Sequence, residues 1–228
     1  MLNLFKAEQY KLRHGKELKI CIAIVFVIGL LNVVLHGDDD IGLLSFMSEI
    51  IGLIACALIA GLYLGNEFYN KTIFYSVTSG NSRITVLISK YLTYLVACIV
   101  ILGFNALVMN GFYVALHGWG QSVTGSTLSF ILGYSIAGIF YDLCIVSIPF
   151  LIVMLLKDTG ISIVVSVVAI GSILACSEIF WVDRIFPISI MTENLRNFLP
   201  VNSILSILII PAVAIGTSGA LFRKADIK

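Results

Sequence analysis

The chain has 228 residues, of which 59% are hydrophobic and only 12% charged, and its formal net charge is +1. Ordinary soluble domains carry about 25% charged residues. This composition, with a mean hydropathy of +1.05, therefore excludes a disordered chain and argues against a soluble enzyme. The small net charge gives no general attraction for nucleic acid, and residues 1–228 are expected to form a single membrane domain.

A charged segment opens the chain. Within residues 1–17, Leu2, Phe5 and Leu12 fall on one helical face, and Lys6 and Arg13 fall on another. This moderately amphipathic pattern predicts an interfacial helix that lies along the membrane surface, where its lysines meet anionic lipid head groups.

Six apolar runs are long enough to cross a bilayer, since one span needs about 20 mostly apolar residues. A bilayer admits only helices and closed barrels, and continuous apolar runs favour helices. We therefore predict an all-α, polytopic protein with six transmembrane helices, near residues 18–36, 46–66, 86–116, 127–156, 160–180 and 200–222.

The basic residues predict the orientation. Twelve of the 14 Lys and Arg residues fall in the amino-terminal segment, the second and fourth loops and the carboxyl tail, whereas Arg184 and Arg196 lie in the remaining loops. Since cytoplasmic loops carry an excess of Lys and Arg, a multi-pass protein of the cell membrane with both termini in the cytoplasm is expected.

The second loop, residues 66–90, contains more than a turn. Residues 67–75 predict a helix with a Glu67–Lys71 pair and exposed aromatic side chains. Residues 78–81 break this helix, and Ser82 offers an N-cap for the next one, which begins at Arg83. A short helix at the membrane surface between two spans can act as a lever.

Sequence motifs for enzymes and cofactors are incomplete. Residues 65–72 have the length of a phosphate-binding loop, but Asn70 stands where the second glycine is needed. The five cysteines all lie in apolar runs without a metal-binding spacing, so small buried side chains are expected. Ser218 between two glycines allows an intramembrane serine protease, but no histidine base lies in a span facing it. We predict no catalytic residue, cofactor or metal.

Small residues and one acid stand out within the spans. The Ala57, Gly61 and Gly65 ladder, and the pair Gly216 and Gly219, predict close helix packing, with the ladder also a possible subunit contact. Asp142 near the middle of a span would cost about 2.5–3.5 kcal/mol. Two interpretations remain open, a cavity-facing functional group and a structural one.

The loop resembles a known family. The order Glu67, Thr72, Ser82-Arg83 and Lys90 is similar to the loop between the second and third spans of type-2 permease subunits of ABC transporters. The family pattern runs Glu, Gly-Thr, Pro-x-Ser-Arg and Lys, so Lys71 here replaces the glycine and Gly80 the proline. The resemblance extends over the whole chain through the short loop at residues 157–160 and an external segment, 177–200, similar to the short external helices before the last span.

The resemblance implies a permease subunit that hydrolyses no ATP itself and works as a dimer with an identical or related second permease copy. The loop 66–85 would form the coupling helix, seated in a groove of a separate ABC ATPase subunit, with a second contact at residues 157–158. Glu67 and Arg83 would set the register by charge pairs, and aromatic side chains would fill the groove. The implied ATPase-coupling residues are Glu67, Phe68, Tyr69, Lys71, Thr72, Phe74, Tyr75, Ser82, Arg83, Lys157 and Asp158.

The resemblance also implies a pathway between two copies, lined by the second and fifth spans, with Asn66, Ser162, Ser166 and Asp142 as possible cavity-facing groups. Such a cavity suits an amphipathic peptide or another hydrophobic cargo, as in similar small permeases of peptide-export, lantibiotic-immunity and bacitracin-resistance systems, a role in antimicrobial peptide resistance. A six-span scaffold or sensor without transport stays open as the alternative, as does extraction from the bilayer rather than export.

Overall fold

The structure is a computed structural model that describes residues 2–36, 50–117, 138–176 and 201–224. These residues form helices joined by short links, and no β-strand occurs among them, which confirms the predicted all-α class. We number the helices α1 (Leu2–His14), α2 (Glu17–His36), α3 (Ile50–Tyr69), α4 (Ile73–Thr78), α5 (Arg83–His117), α6 (Gly138–Leu156), α7 (Thr159–Ala175) and α8 (Val201–Lys224).

Three helices of the described part are long and apolar enough to cross a membrane, namely α3, the Arg83–Val108 part of α5, and α6. Shorter apolar helices are α7 and the Leu208–Ala220 part of α8. The apolar character of the chain is therefore matched by its helices, while six spans is a wider prediction than these three. The predicted external segment 177–200 lies outside the described residues.

The core lies where α3 meets α5, α6 and α7, and α3 is the most enclosed of the three long apolar helices. Tyr94 of α5 is fully buried there, and its hydroxyl lies 2.9 Å from the carbonyl oxygen of Val146 and 3.2 Å from that of Cys56. One side chain thus contacts both α6 and α3. The cysteines in this region, Cys21, Cys56, Cys98 and Cys144, are buried, as predicted, whereas Cys176 is only partly buried.

The α3 glycines form a close contact with α7. A Cβ atom at Gly61 would overlap the Ile163 side chain, and one at Gly65 would lie 2.9 Å from Thr159 Cα. The last turns of α3 include a π-helical segment, Ala60–Gly65. The predicted packing seam is confirmed, and the surface it contacts is α7 of the same chain.

The α8 glycines behave differently. A Cβ atom at Gly216 or Gly219 would meet no other described atom within 4 Å. Between this face of α8 and the first turns of α5 the structure leaves an open groove of about 310 Å³. The prediction that these two glycines allow close helix packing is therefore wrong within the described residues.

Helix α1 packs against α5 rather than only lying on a surface. Its buried residues are Glu8 and Leu12, one turn apart, whereas Leu2 is 74% exposed. The prediction of a helix was right, but its buried face carries a carboxylate that an interfacial helix would turn toward water.

Candidate functional site

A cluster of charged side chains joins α1, α3 and α5 at the base of the second loop. We call it the charged cluster; its members are Glu8, Lys11, Tyr63, Glu67 and Lys90. Lys90 Nζ lies 2.7 Å from Glu8 Oε1 and 2.5 Å from Glu67 Oε2. Lys11 Nζ pairs with Glu67 Oε1, and the Tyr63 hydroxyl donates a hydrogen bond to Glu8 Oε2. All four carboxylate oxygens therefore have a partner.

The charged cluster is almost completely shielded from solvent. Lys90 is 2% exposed, Glu67 5% and Glu8 7%, and only the Lys11 side chain is half exposed. Burying an unpaired charge is very unfavourable. Two carboxylates and two ammonium groups sum to zero, so pairing makes this burial possible.

Local helix geometry brings the charged cluster together. Tyr63 and Glu67 are four residues apart, so they share one face near the end of α3. Lys90 lies about two turns into α5, and its ammonium group is 5.7 Å from the centre of the Tyr63 ring. Lys11 approaches the same ring to 5.9 Å. Both distances are within the range of cation–π attraction.

Two effects oppose each other at Glu8. Burial alone would raise the pKa of this carboxyl group, but the charge and hydrogen bond of Lys90, with smaller contributions from Tyr63 and Lys11, outweigh it. The pKa of Glu8 is therefore held below its ordinary value of 4.5. Glu8 is ionised at neutral pH, as its ion pair requires.

The predicted single helix over residues 67–75 is interrupted. Lys71 has a φ of 55°, in the left-handed region, so α3 ends at Tyr69 and α4 begins at Ile73. The carbonyl oxygen of Glu67 accepts hydrogen bonds from Thr72 N at 2.9 Å and Thr72 Oγ1 at 3.3 Å, which closes the turn. The predicted Glu67–Lys71 pair is wrong, because the Glu67 carboxylate is already engaged by Lys11 and Lys90.

Both departures from the family pattern fall at positive φ. Lys71 (55°) occupies the position of the usual glycine, and the left-handed region favours glycine. Gly80, in place of the usual proline, has a φ of 92°, which a proline ring fixed near −65° cannot adopt.

The aromatic residues of the loop divide into two groups. Tyr69 and Tyr75 are 72% and 73% exposed. Phe68 is 7% exposed and belongs to the core, so the expectation that it fills a partner's groove is wrong for this structure. The side chain of Phe74 lies outside the described residues. Two tyrosines, with exposed Lys71 and Thr72, are what the loop presents outward.

The two predicted ATPase contacts lie at the same end of the bundle. Ser82 caps α5, since its Oγ accepts a hydrogen bond from Thr85 N at 3.2 Å, as the sequence predicts. Arg83, partly buried, follows it. The link between α6 and α7 is the two residues Lys157 and Asp158, and Asp158 caps α7 through Ile161 N at 2.9 Å. A Cβ at Gly65 would lie 3.4 Å from the Asp158 carbonyl oxygen, so this link adjoins the end of α3.

The possible cavity-facing residues are mostly enclosed in a single chain. Ser162 and Ser166 are fully buried and Asp142 is 3% exposed, which agrees with an interior position for Asp142, whereas Asn66 is exposed near the end of α3. Ser218 is also fully buried, and its hydroxyl makes no hydrogen bond within the described residues, so no base for a protease accompanies it.

Sequence reasoning missed Glu8, Lys11 and Tyr63 as members of one site, although two signals were available. Glu8 is an acidic residue one turn before the apolar Leu12, on the face of α1 that should be apolar. Lys90 lies inside the third apolar run, where a charge needs a partner.

Comparison of the chain with protein-family models and with curated proteins gives no match. The relation to type-2 ABC permeases therefore depends on the loop residues and on the arrangement of helices around them.

Proposed function

We propose that the chain is the membrane permease subunit of an ATP-driven ABC exporter, with six spans, both termini in the cytoplasm and ATP hydrolysis in a separate subunit. One observation carries the proposal. Helix α4 lies between the candidate spans α3 and α5, has exposed tyrosines beside it, and is tied at its base to the charged cluster.

The connections around α4 support a lever. The turn before α4 is bonded to the Glu67 backbone by Thr72, and the Glu67 side chain pairs with Lys90 of α5 and Lys11 of α1. A displacement of α4 therefore acts on three helices together. Transporters that alternate between open states move such helices largely as rigid bodies.

The outward side of the loop has the composition of a protein interface. Tyrosine is enriched among residues that dominate binding energy, and Tyr69 and Tyr75 are both more than two-thirds exposed. The Lys157–Asp158 link lies at the same end of the bundle. One ATPase subunit could contact both segments, as the family resemblance implies.

The cargo proposed is an amphipathic peptide or another hydrophobic molecule, which would pass between this chain and a second permease copy. The exposed side chains of α7 are apolar, with Ile161 58%, Val164 63% and Val168 61% exposed. Ser162 and Ser166 of the same helix point into the bundle. A surface of this kind suits an apolar cargo better than a sugar or an ion.

A combined Tyr69→Ala and Tyr75→Ala variant tests the proposal. We expect it to lose co-purification with the ABC ATPase that binds the wild-type chain, and to lose permease-stimulated ATP turnover, with an unchanged thermal unfolding temperature. Tyr10→Ala is the matched control, because Tyr10 is 67% exposed on α1 and lies outside the loop. Normal coupled turnover in the double variant, or ATP hydrolysis by the purified chain alone, would contradict the proposal.

The scaffold or sensor alternative predicts a different result in the same experiment. The chain would then be isolated stably by itself and would change the turnover of no ABC ATPase.

A further inference from the structure

We infer that the groove between α5 and α8 binds one anionic phospholipid from the leaflet on the basic side of the bundle. This inference does not depend on the proposed transport function. It depends on the shape of the groove, on two glycines that leave it open, and on the basic residues at its end.

The groove is apolar throughout and has the size of a ligand site. Its volume of about 310 Å³ falls at the lower end of the range of about 300–1,000 Å³ for ligand pockets. The residues that line it include Ile84, Leu87 and Ile88 of α5 and Ile215, Gly216 and Gly219 of α8. A surface of this kind suits an acyl chain.

The two glycines keep the helices apart instead of bringing them together. At Gly61 and Gly65 the neighbouring helix fills the space that a Cβ would need, whereas at Gly216 and Gly219 that space is open. Any larger side chain on this face of α8 would enter the groove. The glycines therefore create a volume that the described part of the chain does not fill.

The charges at one end of the groove select an anionic head group. Helix α5 begins with Arg83, immediately before the lining residue Ile84, and α8 ends with Arg223 and Lys224, one turn after the groove. Neither 83–90 nor 215–224 contains an acidic residue. Basic pockets between membrane helices bind anionic head groups, and each basic residue contributes about 1 kcal/mol. A zwitterionic lipid would gain little from the same charges.

Native mass spectrometry of the purified full chain with equimolar phosphatidylglycerol and phosphatidylcholine tests the inference. We expect the wild type to retain one phosphatidylglycerol with about tenfold preference. Gly219→Leu fills the groove and should lower retention at least about fivefold. Gly171→Leu is the matched control, since Gly171 of α7 is also exposed with open space around it and lies outside the groove.

A second variant tests the head-group contact separately. Arg83→Gln should keep a lipid bound but reduce the preference for phosphatidylglycerol about fivefold, which equals about 1 kcal/mol for one basic residue. This variant decides the question even if Gly219→Leu does not fold, as judged by thermal unfolding.

Three results would overturn the inference. Equal retention of the two lipids by the wild type would indicate non-selective surrounding lipid only. Unchanged retention in Gly219→Leu would place the bound lipid elsewhere. Efficient disulfide cross-linking between two copies carrying Gly219→Cys would show that a second copy, rather than a lipid, occupies the groove.

Discussion

The base of the second loop and its outward side use the same residue types in opposite ways. At the base, Tyr63 is 3% exposed and Lys90 2%, and both bind carboxylates. A few residues away, Tyr75 is 73% exposed and Lys71 is also exposed. Burial, rather than residue type or spacing, thus separates the side chains that hold the helices together from those available to a partner.

This difference changes how the loop should be tested. From the family resemblance alone, Glu67 would bind a partner by charge. In the structure it is enclosed and paired with two lysines of its own chain, so removing it disturbs the fold. Changes on the outward side, at Tyr69 and Tyr75, leave the charged cluster intact and report on a partner directly.

The largest effect is expected for Lys90→Met. This change leaves Glu8 and Glu67 facing each other without their shared cation, and loss of one partner of a buried ion pair destabilises a protein by about 3–5 kcal/mol. Thermal unfolding in detergent should show a clearly lower transition temperature. Lys71→Met is the exposed control and should change stability by less than about 0.5 kcal/mol. Equal unfolding temperatures for the two variants would contradict the role of the charged cluster.

A smaller effect is expected for Tyr63→Phe, which removes only one hydroxyl. That hydroxyl donates to the Glu8 carboxylate, and hydrogen bonds to charged groups contribute about 1.5–3 kcal/mol. Tyr75→Phe removes the same atom on the outward side and should leave the unfolding temperature unchanged. If both variants matched the wild type, the Tyr63–Glu8 bond would make no net contribution.

The contribution of Glu8 should depend on pH. Because its pKa is lower in the folded chain than its ordinary value of 4.5, the stabilisation is fully present above that value and is lost as the pH falls through the lower, folded pKa. The stability difference between the wild type and Glu8→Gln should therefore be constant from pH 8 to about 5 and shrink below pH 4.5. A difference that grew on acidification would contradict this sign.

The smallest effect is expected for Lys71→Gly, which relaxes the turn before α4. A non-glycine residue at positive φ is strained by about 1–2 kcal/mol, but glycine also loses more backbone entropy on folding, by roughly 0.5–1 kcal/mol. A net gain of at most about 1 kcal/mol should follow. Lys71→Val should instead lower the unfolding temperature, because a β-branched residue tolerates this backbone poorly.

The elements that depend on local pattern could be predicted from the sequence. The apolar run at 46–66 corresponds to α3, and the start of α5 at Arg83 follows from the Ser82 cap. The break at Lys71 could not be predicted, because lysine carries no preference for positive φ.

The candidate site was harder to predict because its contacts join distant parts of the chain. Nothing near Glu8 in the sequence indicates that it pairs with Lys90, which is 82 residues away. Small residues likewise gave one correct prediction and one wrong one. The α3 glycines meet α7 and the α8 glycines meet open space, a difference decided by neighbouring helices rather than by spacing.

The wide separation of Glu8 and Lys90 has a consequence for biogenesis. Helix α1 and the end of α3 are synthesised first, and the lysine that binds both follows only when α5 leaves the ribosome. At roughly 5–20 residues per second, the 82 residues between them take about 4–16 s to translate. During that interval the acidic side chain of α1 lacks its final cation, and the arrival of α5 is the event that fixes α1 in place.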